Sequence, residues 1–170
     1  MSAAPPAAAG GFAWQPDEAF RAAANWQAFL RAERLPDYPA LARRAAAEPE
    51  WFWDALIRFL GVRFVVPYSR VLDLSGGIEW PKWCVGGTTN ATLSCLDRHV
   101  ESARRDHPAL VWESEDGQVR TWTYAQLHAE TCRLAGALAQ RGLRAGDAVG
   151  VYMPMMPETA AAFLALARLG

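Results

Sequence analysis

The residues from Gly146 onward constrain the chain most. Gly146-Asp147 leads into AVGVYM, residues 148–153, a continuous apolar run of strand length. A strand apolar on both faces belongs inside a mostly parallel sheet covered by helices. Pro157-Glu158 then opens a helix that carries Phe163, Leu164 and Leu166. A buried parallel strand followed by a crossover helix needs a further strand, because its N–H and C=O groups cannot stay unpaired in a core. None follows Gly170, so the reading is the opening of an α/β domain, incomplete at the C-terminus. The same stretch comes nearest to a membrane span, but Pro154, Pro157 and Glu158 sit near its middle, where a spanning helix tolerates them least.

The residues before this run are also patterned. Pro16-Asp17-Glu18 starts a helical segment through Phe20, Ala23, Trp26, Gln27 and Leu30, which Pro36 and Pro39 close. Pro49 starts a second helix with the stripe Phe52, Leu56, Phe59 and Leu60, ending at Gly61. Residues 61–90 hold Pro67, Pro81, Gly76, Gly77, Gly86, Gly87, Trp80 and Trp83, and read as an extended connection packed on a surface. Asn90 or Thr92 can cap a helix with Leu93, Leu96, Val100 and Ala103 on one face, stopping at His107-Pro108. ALVWE at 109–113 and QVRTW at 118–122 flank Glu115-Asp116-Gly117 as a β-hairpin. Thr123 and Gln126 have capping-box spacing, ahead of a helix with Leu127, Thr131, Leu134 and Leu138 that stops at Gly142.

Composition removes several function classes. With 52% hydrophobic and 21% charged residues and a net charge of −1, the chain is neither a disordered tail, a collagen nor a strongly basic nucleic-acid binder. Lys82 is the only lysine among 17 basic residues, so any chemistry that needs a lysine must use it. Cys84, Cys95 and Cys132 are odd in number and widely spaced, which suits a reducing compartment, the cytoplasm by default. MSAAPPAAAGGFAW has no basic start and carries Pro5 and Pro6, so it reads as a flexible lead-in rather than a secretory signal.

Each chemically suggestive cluster has a plainer explanation. Gly86-Gly87-Thr88-Thr89 lacks the lysine and preceding strand of a phosphate loop. Cys95 with His99 and His128 with Cys132 have i,i+4 spacing that two facing helices could turn into a zinc site, but each cysteine also reads as a small buried hydrophobe. Ser94 and Ser102 lie near histidines without a nucleophile elbow. Glu113, Glu115 and Asp116 flank a turn and read as solvated, and Arg43-Arg44 and Arg104-Arg105 read as wet helix faces. Trp51, Trp53, Trp80, Trp83, Trp112 and Trp122 have no basic stripe beside them and read as packing anchors.

The run over residues 93–170 closely resembles the start of the large domain of AMP-forming acyl-CoA synthetases, in particular the acetyl-CoA synthetase branch of the adenylate-forming enzymes. LDRH at 96–99, TYAQL at 123–127, RGLRAGDAVGVYMPMMPE at 141–158 and ARLG at 167–170 carry the resemblance. WFWDALIRFL at 51–60 and WCVGGTTN at 83–90 resemble that branch's N-terminal helical extension and its connection, with Thr88-Thr89 where the family pattern is aliphatic. The implied organisation is a lead-in over 1–15, the extension and linker over 16–90, and a truncated start of the AMP-binding domain over 91–170. The implied fold is an N-terminal helical extension followed by the hairpin, helix, strand and helix that open an adenylate-forming domain.

The resemblance implies a parent that activates a short carboxylate with ATP to an acyl-adenylate and passes it to coenzyme A, with Mg2+ assisting. It supplies no catalytic, cofactor-binding or metal residue in this segment: the family's phosphate loop and essential lysines lie outside the match, and Lys82 in WPKW has the wrong context. The remainder of the parent chain is then the expected partner, with no nucleic acid and no membrane. The alternative is a non-catalytic binding module derived from that fold, its open sheet edge covered by a partner or by a second copy.

Overall fold

The computed structural model describes residues 14–170, so the lead-in expected over 1–15 lies almost wholly outside the described residues. The chain divides into two compact units, one up to Leu60 and one spanning Gly61–Gly170.

The first unit is helical: α1 (Glu18–Ala23), α2 (Asn25–Ala32), α3 (Tyr38–Ala47) and α4 (Pro49–Leu60). The single helical segment expected through Leu30 breaks at Ala24, whose ψ of 141° is extended. Helix α1 buries no side chain, so no packing holds it in line with α2. Helix α3 corrects the reading of Pro39 as a closing signal. Asp37 accepts the Ala40 N–H at 2.7 Å and Pro39 occupies the first turn, where its missing N–H costs nothing. Phe29, Leu30, Leu41 and Ala55 form the buried core, with Trp26, Leu35, Trp51, Phe52 and Leu56 packed around it. Phe29 meets Phe52 and Phe59 edge to face, and the Arg44 guanidinium lies 3.6 Å over the Trp51 ring.

The second unit begins with a pair of strands where an extended connection was expected. β1 (Arg70–Asp73) and β2 (Lys82–Val85) pair antiparallel, and Val66 bridges Thr88. The proline and glycine density conceals this pairing, because the glycines shape the turns of the hairpin: Gly77 and Gly86 have φ of 100° and 75°. Gly87 is needed for a different reason, since a Cβ there would stand 3.0 Å from both the Cys84 carbonyl oxygen and Tyr68 Cβ. Trp80 and Trp83 are 73% and 48% exposed, so they are not the packed anchors their density suggests.

The helix expected from Asn90 to His107 is shorter and irregular: a π-helical turn (Leu93–Asp97) leads into α5 (Arg98–Val100) and then into turns. The hairpin forms as read, β3 (Pro108–Glu113) against β4 (Val119–Thr123), with Gly117 at φ 80° and an irregularity between Pro108 and Leu110. Both halves of the capping box are present at Thr123 and Gln126, and α6 (Tyr124–Gln140) follows; α7 (Pro157–Leu169) closes the unit. Leu96, Leu127 and Ala161 make the core cluster, flanked by Trp122, Tyr124 and Leu164.

Residues 148–153 correct the expected interior strand. They carry no regular secondary structure, and no backbone hydrogen bond joins them to any other described residue. A strand exists only through its ladder, and no other strand pairs with this run among the described residues. Val149 and Val151 are consequently 42% and 43% exposed.

Helices α6 and α7 approach closely because small residues face the contact. Ala135, Ala161 and Ala165 are buried, Ala165 completely, whereas Phe163 on the other side of α7 is 69% exposed. Enlarging a filled site forces neighbours off their rotamers at about 1–3 kcal/mol. Ala165→Leu is expected to destabilise the second unit by about that amount in urea unfolding, and Phe163→Ser by less than about 0.5 kcal/mol.

Candidate functional site

One polar junction gathers most of the chemistry-bearing side chains of the second unit. The π-helical turn places Asp97, only 8% exposed, between α6 and α7. Arg168 Nη1 of α7 donates to Asp97 Oδ1 at 2.8 Å and to Thr92 Oγ1 at 3.3 Å. His128 Nε2 of α6 lies 3.1 Å from the same carboxylate oxygen. Asn90 Nδ2 donates to the Ala167 and Arg168 carbonyls at 2.7 and 3.2 Å, which satisfies carbonyls that the end of α7 leaves without a helical partner. Asn90 Oδ1 in turn accepts from the Thr92 backbone N–H and hydroxyl. The hydrogen bond to Asp97 holds the Arg168 guanidinium above its ordinary range, against the opposing effect of its partial burial.

The rest of LDRH surrounds this carboxylate. Leu96 is buried in the core, Arg98 Nη1 donates to the Gly61 carbonyl at 3.3 Å, and His99 lies against the Tyr124 ring with centroids 4.5 Å apart. Desolvation first, then Arg98, Arg104 and Arg63, keep His99 below the ordinary imidazole range.

The junction does not form a nucleophilic relay. Cys132 Sγ is 3.6 Å from His128 Nε2, the nitrogen that faces Asp97, and 3.9 Å from Nδ1. A relay needs the thiol and the carboxylate on opposite ring nitrogens, so that one orients while the other accepts the proton. The zinc arrangement is not assembled either: among the described residues no group of three or more His, Cys, Asp or Glu stands together to hold a metal ion. Cys95 is exposed, and desolvation of its thiol, then the Asp97 charge, push it up and away from the thiolate a metal would need.

The other candidates are bound into local structure. The Gly87 and Thr88 N–H groups donate to the Cys84 and Val66 carbonyls at 2.8 and 2.9 Å, which takes them from any phosphate. Ser94 Oγ accepts the Arg63 N–H at 2.9 Å and Ser102 Oγ donates to the His99 carbonyl at 2.9 Å. Asp116 accepts from the Ser114 hydroxyl and the Gln118 N–H, which holds its carboxyl below the usual range and fastens the hairpin turn. Lys82 is exposed on β2.

A second polar contact, which the sequence pattern does not reveal, joins Arg120 to Glu158. Arg120 sits opposite Trp112 in the hairpin, within 5.8 and 5.5 Å of the Trp112 and Trp122 rings, and grips both Glu158 oxygens at 2.5 and 3.2 Å. Trp112 Nε1 donates to the Met155 carbonyl at 2.5 Å and ties the hairpin to the start of α7. The alternation Arg120-x-Trp122 on one strand face could have shown a cation between aromatic rings; its partner across 38 residues could not be read from pattern.

Two apolar grooves flank residues 148–153. One, about 510 Å³, is lined by Val149, Val151, Phe163 and Leu166 and reaches Gly170; the other, about 490 Å³, is lined by Leu134, Leu138, Val151, Tyr152 and Ala162.

The fold and its motifs define a class that the comparisons make specific. The family described as AMP-binding enzyme matches residues 96–170, and the family described as Acetyl-coenzyme A synthetase N-terminus matches residues 38–95. An acetyl-coenzyme A synthetase of Deinococcus radiodurans is 42% identical over 147 residues, 86% of this chain and 22% of that protein. One from Shewanella pealeana is 44% identical over 138 residues, 78% of this chain and 20% of that protein. The solved acetoacetyl-CoA synthetase from Streptomyces lividans superposes with a TM-score of 0.82 at 33% identity, over 92% of this chain and 25% of that one. The chain belongs to the AMP-forming acyl-CoA synthetases and corresponds to their N-terminal portion. It spans only 20–25% of the length of these relatives. The mixed helix-and-strand reading of the fold agrees with that structural match. Among the described residues no helix is long and apolar enough to cross a membrane.

Removing Asp97 strands the half-buried Arg168 and His128, and loss of one partner from a buried pair costs about 3–5 kcal/mol, less where solvent reaches the partner. Asp97→Ala is expected to cost about 2–4 kcal/mol in urea unfolding, whereas Thr131→Val, which removes a buried hydroxyl without a partner, is expected to be neutral or stabilising. The Arg120 hydrogen bond outweighs the opposing effect of burial and depresses Glu158 in the folded state, so its contribution is present above the unfolded value of about 4.3 and is lost as pH falls through the folded value. Glu158→Gln is expected to flatten the fall in stability below about pH 4.3 relative to the parent chain, measured by urea midpoints across pH 3–6.

Proposed function

We propose that this chain serves as the N-terminal portion of an AMP-forming acyl-CoA synthetase, the enzyme activating a short carboxylate with ATP and transferring it to coenzyme A. Its own contribution is scaffolding, and we assign it no catalytic, nucleotide-binding or metal residue. The observation that carries the reading is the Asp97 junction, where Asp97 from LDRH, the α6 helix started by TYAQL, and Arg168 from ARLG interlock in one polar network. Such a network fixes how helices meet and leaves the helix surfaces for other elements.

The division we propose keeps the helical extension and linker over 16–90 and the start of the adenylate-forming domain from 91. Acetate is the first substrate to test, because the Deinococcus and Shewanella relatives are named acetyl-coenzyme A synthetases. The three free cysteines suit a cytoplasmic setting for the whole enzyme.

The test is a chimera in which this chain replaces the aligned segment of the Deinococcus radiodurans enzyme. Acetate-dependent formation of acetyl-CoA within about tenfold of that enzyme, or about 1.4 kcal/mol of barrier, is the expected result. A soluble, folded chimera without activity would overturn the reading. The 170-residue polypeptide alone is expected to catalyse no ATP–pyrophosphate exchange with acetate.

A further inference from the structure

Positive charge gathers around one imidazole in the second unit. Arg98 Nε donates to His99 Nε2 at 3.4 Å, and the Tyr124 ring of α6 lies against the imidazole with centroids 4.5 Å apart. Burial first, and then the charges of Arg98, Arg104 and Arg63, hold His99 below the ordinary imidazole range, so three guanidiniums reach it. Each comes from backbone that is fixed in place. Arg63 donates its N–H to Ser94 Oγ at 2.9 Å, and its carbonyl accepts the Thr89 hydroxyl at 2.6 Å. Ser102 Oγ donates to the His99 carbonyl and accepts the Arg104 N–H. The Tyr124 and Ala125 N–H groups donate to the His107 and Arg105 carbonyls at 3.1 and 3.0 Å, which ties this turn to the start of α6.

The charge in this region does not balance. Residues 98–106 carry three arginines against Glu101 and Asp106, and Arg63 adds a fourth, so four positive side chains meet two negative ones. Glu101 answers Arg63 at 2.6 Å, whereas the exposed Arg104 side chain makes no hydrogen bond or ion pair among the described residues. Elsewhere in the unit a guanidinium meets its own carboxylate, as Arg70 with Asp73, Arg120 with Glu158 and Arg133 with Glu130. Like charges brought together disfavour one another until an anion lies among them. A phosphate dianion matches the excess of two charges and has oxygens enough for several guanidinium forks, which the two oxygens of a carboxylate lack.

We infer that Arg63, Arg98 and Arg104, grouped around His99, form a binding site for a phosphate dianion, free or as a simple monoester. The forks take the phosphate oxygens in pairs. Once Arg98 turns its fork to the anion, His99 Nε2 no longer accepts the Arg98 N–H and is open to a proton, which it donates to a phosphate oxygen. An anion beside the imidazole also favours its charged form, so binding takes up a proton. The net charge of −1 over the chain gives no broad attraction to a polyanion, so the ligand is a single phosphate group rather than a nucleic acid. None of these groups depends on the synthetase reading.

The His99 imidazole proton resonance reports binding in the 170-residue chain and in the chimera described above, titrated with inorganic phosphate at an ionic strength held constant with sodium chloride. Saturable movement is expected, with a Kd of about 1 mM or tighter, and His99 is expected to titrate at higher pH in phosphate than in chloride. Arg104→Ala is expected to weaken binding by about tenfold or more and to leave the urea midpoint in place. Glu101→Gln, which frees Arg63, is expected to tighten binding about twofold to fivefold, and Arg105→Ala to leave it unchanged. Glycerol 3-phosphate, titrated in the same way, identifies the monoester as the ligand if it binds more tightly than inorganic phosphate, and the free ion if it binds less tightly. Movement of His99 that chloride reproduces, or equal losses in Arg104→Ala and Arg105→Ala, would reduce the cluster to diffuse charge and overturn the site. An active chimera in which phosphate leaves His99 unmoved would assign the arginines to another part of the synthetase and overturn it too. A folded, inactive chimera that binds phosphate would uphold the site and count against the synthetase reading alone.

Discussion

The second unit depends on the placement of one carboxylate. Asp97 is 8% exposed and would be costly to bury alone, yet Arg168 and His128 reach it from two different helices. Each partner therefore arrives in a fixed geometry, and the helices that carry them are fixed with it. Asn90 and Thr92 extend the same network to the end of α7 through hydrogen bonds of 2.7–3.3 Å. The net energy of such a cluster is modest because desolvation offsets much of the attraction, but breaking it leaves charges without partners. Its effect is to select one arrangement of the π-helical turn, α6 and α7.

Alanines complete what the carboxylate starts. With Ala135, Ala161 and Ala165 at the contact, α6 and α7 pack backbone close to backbone, and larger apolar side chains are left on the outer surfaces of α7 and along residues 148–153. The Arg120 and Glu158 pair and the Trp112 hydrogen bond fasten the hairpin to the start of α7. The consequence is that the hairpin, α6 and α7 are tied together by contacts within the second unit.

Local signals were legible in the sequence and long-range pairing was not. The Thr123 and Gln126 capping box, Gly117 in the hairpin, Gly142 after α6 and Pro49 at the start of α4 all act where their residue types act everywhere, within a turn of their own position. Pro39 was misread because proline both ends one helix and suits the first turn of the next; Asp37 three residues before Ala40 was the deciding cue. The pairing of β1 with β2 was hidden by an eight-residue glycine- and proline-bearing connection between short strands. The run 148–153 is apolar and of strand length, yet it forms no strand, because a ladder needs a second strand and pattern alone cannot supply one. LDRH was legible as a motif, while the roles of Asp97 and His99 emerged only when α6 and α7 were placed around them.

The most direct measurement is the intact mass of the native gene product, captured from its source cells with an antibody against residues 93–170. The account predicts a polypeptide several times larger than the 18.7 kDa of this chain, since relatives of which it covers 20–25% carry the rest of the domain. A native product of 18.7 kDa would contradict it, and the apolar edge at 148–153 would then belong to a protein that meets its partner in trans.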